Sequence, residues 1–181
     1  MQKIIRAVAV AVAMAASVSA ASAQQDDGTV PAATAPTTMS VMLRNAGYTV
    51  STDEAAYLDA DEQATDQFVR AMLTTELHAP TINDEYSRQL VISELQRVAA
   101  LDPGAVAVAA PGPLADLNRL AVARRTAMRE TAQRWLAGLS ANDPNWVSRG
   151  SDAYGAARQA EVDWYAAMRQ IFVGRPAAPT P

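Results

Sequence analysis

The chain reads as all-α: a single antiparallel helical bundle of about four long helices plus a short N-terminal helix. Three observations predict this. Apolar residues recur at three- and four-residue steps over four long stretches, the spacing of one helix side. Breakers separate the stretches: Pro80, then Asp102-Pro103-Gly104, then Asp143-Pro144. No convincing strand competes, since Val106-Ala107-Val108 is too short and small-sided to seed a sheet.

Residues 1–23 have the pattern of a secretory signal peptide. Lys3 and Arg6 form a positive start, an apolar stretch runs through residues 7–16, and Ala21-Ser22-Ala23 offers a small-residue cleavage site before Gln24. Residues 24–38 are dominated by Asp, Thr, Pro and Ala without periodicity and read as a disordered spacer. The bundle domain is expected over 39–174, and 175–181, with three prolines, as a disordered tail.

Within the domain, 39–46 predicts a short helix closed by Gly47. Ser51 and Glu54 then make a capping box ahead of a helix over about 52–78, stopped by Pro80. Its apolar side carries Tyr57, Ala64, Phe68, Ala71 and Met72. The next helix is expected over 82–101, with Leu90, Val91, Leu95, Val98 and Leu101 on one face. The cleanest amphipathic run is 111–139. Pro113 suits a first helical position, and Leu114, Leu117, Ala121, Met128, Ala132, Trp135 and Leu139 form the stripe. This run is the candidate central helix, with its end signalled by Gly138 and Ser140. In the last helix Asp143 caps, Pro144 opens, Gly150 marks an interruption, and Tyr154, Ala157, Trp164, Tyr165, Met168 and Phe172 face inward.

Composition excludes several functions. There is no cysteine, hence no disulfide, and one histidine, too few for a standard His-based metal site. Removing Lys3 and Arg6 with the leader makes the formal charge of −4 more negative, against nonspecific nucleic-acid binding. No second apolar run is long enough for a membrane span. Phosphate-cradling glycine motifs and the G-x-S-x-G elbow are missing, so no cofactor is expected. The acidic stretch 59–70 lacks the glycine and terminal glutamate of a calcium loop. His78, in the last turn before Pro80, suits capping of helix carbonyls.

The sharpest polar signal is one charged residue breaking each long apolar stripe: Asp61, Glu94, Arg124 and Glu161. A charge in a core is costly unless paired and hydrogen-bonded. The four either converge on a small ligand site or serve as structural ion pairs, such as Asp61 with Arg124. Charge also predicts which helices are neighbours: the acid-rich stretch 53–76 should lie beside the arginine-rich 111–139. Trp146, near a helix start, is the aromatic expected to be exposed and to contact a partner. The expected role is an exported, periplasmic binding or interaction protein of the cell envelope without enzymatic activity. The alternative is a cell-wall glycan-active enzyme using Asp61, Glu94 and Glu161 as acid/base groups with Arg124 orienting substrate.

Overall fold

A computed structural model describes residues 38–173 and 175. Among them five α-helices carry the structure: α1 (Met39–Asn45), α2 (Thr52–His78), α3 (Glu85–Ala100), α4 (Ala115–Ser140) and α5 (Ser151–Val173). There is no extended strand among the described residues, and the all-α bundle expected from the periodicity is the observed architecture. The leader and spacer expected over 1–38 lie outside the described residues except for Thr38.

Local chemistry sets the helix ends. At α2 the Glu54 N–H donates to Ser51 Oγ over 3.3 Å while the Ser51 N–H donates to the Glu54 carboxylate over 3.0 Å. This is the reciprocal capping box expected from S-x-x-E. Helix α3 starts at Glu85 rather than 82. The Asp84 carboxylate accepts the Ser87 N–H over 2.9 Å, and the residues before it are used in the 3-10 turn Ala79–Thr81 and its exit. Helices α1 and α4 both close with a Schellman motif. Gly47 (φ 85) and Asn142 (φ 52) take the left-handed position. Tyr48 N–H returns to the Leu43 carbonyl, and Asp143 N–H to the Gly138 carbonyl.

Gly138 is therefore no terminal cap. It lies inside α4 because the 3-10 turn Trp146–Gly150 folds back onto it: a Cβ at Gly138 would stand 2.7 Å from Trp146 Cβ. Gly150 makes the same close approach, 2.5 Å from Trp135 Nε1. The Trp135 indole N–H donates to the Val147 carbonyl over 2.8 Å and locks the corner.

Helix α4 is the hub. It packs against α2, α3 and α5, while α5 lies along α4 and hardly approaches the α2 backbone. One core cluster joins Phe68, Val91, Leu95, Met128 and Trp135. A second joins Tyr57, Leu58, Leu117, Trp164 and Phe172 at the other end. Between α2 and α5 the bundle has a seam bridged by side chains, not a ridge-in-groove contact.

Candidate functional site

The polar residues that interrupt the apolar stripes sort into separate pairs instead of one cluster. Asp61 is buried on α2, and its partner is Arg125, not Arg124. Arg125 is fully buried; its Nη1 donates to Asp61 Oδ1 over 2.5 Å and to Thr65 Oγ1 over 3.0 Å. Its Nε donates to the Pro103 carbonyl over 2.7 Å, which pins the α3–α4 loop to the core. Nη2 is buried without a protein partner. Beside this pair the buried Tyr57 hydroxyl donates to Asn118 Oδ1 over 3.3 Å. Burial and the Asp61 charge push that phenol far above its ordinary range, against the opposing pull of Arg125.

Helix register, not residue type, makes Arg125 and not Arg124 the partner of Asp61. Ala121, Arg125, Met128 and Ala132 follow steps of four, three and four, so Arg125 takes an inward-facing position on α4. Arg124 is rotated about 100° away and faces the seam. There its Nη2 donates to Glu161 Oε1 over 2.7 Å, and Arg158 Nη1 donates to Glu161 Oε2 over 2.7 Å. The side chains of Arg124 and Glu161 keep 14 % exposure each. Glu94 joins neither group. It pairs with Arg97 one turn on at 2.7 Å, and Arg97 also donates to the Gln67 carbonyl of α2.

The seam between α2 and α5 carries the rest of the polar apparatus. The Tyr154 hydroxyl donates to the Glu76 carboxylate, closing the seam near the end of α2. Tyr165, expected to face inward, is 47 % exposed on the other stretch of the seam. Burial of its hydroxyl raises the phenol, helped by Glu161 and Glu62 and opposed by Arg124 and Arg158.

Two expectations about the chain ends also change. Trp146 is 5 % exposed, packed edge-on against Trp135 at 6.0 Å, because the 3-10 turn carries it back onto α4. It is not available to a partner. Arg175, at the start of the expected tail, is held in place: its Nη1 donates to the buried Glu54 over 2.6 Å and its carbonyl accepts the Thr49 N–H. Pattern reading gives Glu54 its capping-box role but not its bond to Arg175, and passes over Arg125, although Arg125 has a signal in the step between Ala121 and Met128.

The exposed features lie elsewhere. Val69, Leu73 and Leu77 sit at i, i+4 and i+8 on α2, with Leu73 44 % and Leu77 75 % exposed. Asp66, Val69, Arg70, Leu73, Thr74 and Leu77 share one open face. Among the described residues no three His, Asp or Glu side chains gather as a metal site, and no helix is long and apolar enough to cross a membrane. His78 Nδ1 lies 3.3 Å from Ser87 Oγ, a contact that ties the end of α2 to the first turn of α3. No protein-family model, curated protein or solved structure matches the chain.

Proposed function

We propose that the chain is an exported, periplasmic helical protein that binds a partner through one face of α2 and does not turn over a substrate. The observation that carries the reading is the Val69–Leu73–Leu77 ridge. Its four-residue spacing is the row by which one helix packs into the groove of another; Val69 anchors it against the core, and Leu73 and Leu77 stand exposed among the described residues. Export is supported by the leader pattern of residues 1–23. The glycan-hydrolase alternative draws no support from the geometry. Its three carboxylates would have to share a cleft, yet Asp61, Glu94 and Glu161 each close on an arginine of their own.

Both halves can be tested in cells. Cell fractionation with N-terminal sequencing should find a periplasmic protein beginning at Gln24. Cytoplasmic protein with an intact leader would overturn export. A photo-crosslinking residue at Leu73 or Leu77 should trap a discrete adduct that the same residue at Gln133, on the exposed side of α4, does not. Identical patterns at the three positions, or none, would overturn the binding face.

A further inference from the structure

We propose that the Val69–Leu73–Leu77 ridge receives an amphipathic helix whose apolar side is bordered by lysine or arginine. This rests on the binding reading above and adds the occupant.

The stretch of α2 that precedes the ridge is already covered by a short helix, α1. The Met39 N–H donates to Glu62 Oε2 over 2.7 Å, and the Ser40 N–H donates to Asp59 Oδ1 over 3.1 Å. These α2 carboxylates cap the first turn of α1 as an N-cap side chain would. Helix α1 buries Ser40 and Leu43 and returns to the start of α2, so its coverage ends at Glu62. The ridge begins two turns further on, where Val69 is partly packed against the core and Leu73 and Leu77 are exposed. This side of α2 is therefore a helix-receiving surface of which the described residues fill only the first half.

Asp59, Glu62 and Asp66 border this side of α2, and Arg70 is the one basic residue between Asp53 and Glu76 in the sequence. Burial, then the charges of Asp66 and Asp59, push the Glu62 carboxyl above its ordinary value, although the Met39 N–H pulls the other way. Asp66 is exposed and has no ion-pair partner among the described residues. An incoming helix with lysine or arginine at its border relieves this repulsion, while an acidic border adds to it. The apolar ridge supplies contact area and the carboxylates select the sign of the partner.

The experiment uses the mature chain from Gln24 and two fluorescein-labelled synthetic peptides. Both carry the same leucine ridge on an alanine-rich helix; one is bordered by lysine, the other by glutamate. Anisotropy should show saturable binding of the lysine peptide, at least about tenfold tighter than the glutamate peptide at low salt. Leu73→Asp, verified as folded by circular dichroism, should abolish that binding, and Asp66→Lys should shrink the preference. Equal affinity for both peptides, or binding indifferent to Leu73→Asp, overturns the proposal. So does a dimer by sedimentation that Leu73→Asp dissolves, which gives the ridge to a second copy. Ridge-specific crosslinks in cells without lysine-peptide binding would remove this occupant and leave the binding face standing.

Discussion

Arg125 reaches from α4 to Asp61 with no solvent exposure, while Arg124, one residue earlier, keeps 14 % of its side chain in water and holds Glu161 on α5. The residue type and the helix are the same, and a rotation of about 100° separates the outcomes. In the first setting the guanidinium joins three elements, with Asp61 and Thr65 on one side and the Pro103 carbonyl on the other. In the second, Glu161 already has Arg158 as an alternative partner and the three side chains keep part of their surface in water, although Arg124 Nε itself is enclosed without a protein partner. A buried pair is costly to break because the surviving charge has nowhere to go; a wet cluster redistributes.

The largest effect should come from Arg125→Ala. It leaves Asp61 buried and uncompensated and frees the α3–α4 loop. A loss of about 3–5 kcal/mol is expected by urea unfolding. Asp61→Leu combined with Arg125→Met removes both charges and restores apolar volume. That variant should recover to within about 1 kcal/mol of the parent. Failure of the double variant to recover would mean that the Pro103 hydrogen bond, rather than the ion pair, carries the stability.

A second step down is Glu54. Burial alone would push its carboxyl up, yet the Ser51 N–H, the Arg175 guanidinium and the Ser51 hydroxyl together hold it below the ordinary value. A carboxyl lowered by folding stabilises above its unfolded value of about 4.3 and loses that contribution as pH falls through the folded value. Glu54→Gln should cost about 1–2 kcal/mol near neutrality. The gap between parent and variant should shrink once pH falls below the unfolded value and close as it passes below the folded one. A gap that persists in acid would assign the cost to packing rather than to charge.

How much of this was legible follows the same division. Periodicity and caps placed α2 over 52–78, with the box at Ser51 and Glu54, because those signals are local and backbone-directed. The acid-rich and arginine-rich helices do pack together, through Asp61 and Arg125. The choice between Arg124 and Arg125 turned on a single register step, and the steps of four, three and four from Ala121 through Met128 already favoured Arg125. Trp146 was beyond reach: its burial needs a 3-10 turn folded onto Gly138, a contact that no spacing announces. Arg175 was hidden by the prolines after it, since its partner Glu54 is far away in the chain. The seam between α2 and α5 was equally invisible, because pattern reading reports which side of a helix is apolar and not which two helices are bridged by polar side chains.

Arg124→Ala tests the wet side of the comparison directly. Glu161 keeps Arg158, so stability should fall by only about 1 kcal/mol or less. Added salt should shrink the difference further, because exposed charges are screened. A loss comparable to Arg125→Ala would show that the seam is effectively dry and that the two arginines are equivalent.

The smallest effect, and the one of opposite sign, belongs to Glu62. Burial, Asp66 and Asp59 together raise its carboxyl despite the bond from the Met39 N–H. A carboxyl raised by folding binds its proton more tightly in the native state, so ionised Glu62 subtracts stability at neutral pH. The penalty disappears as pH falls through the folded value, where Glu54 is still ionised. Glu62→Gln keeps an oxygen to accept the Met39 N–H and removes the charge. It should therefore match or exceed the parent by up to about 0.5 kcal/mol near pH 7, with the gain fading on acidification. Paired urea titrations of the two glutamine variants, from about pH 7 to about pH 3, should then diverge in opposite directions from the parent. Two carboxylates less than three helical turns apart on α2 would respond to acid with opposite signs because one faces a guanidinium and the other faces its own kind.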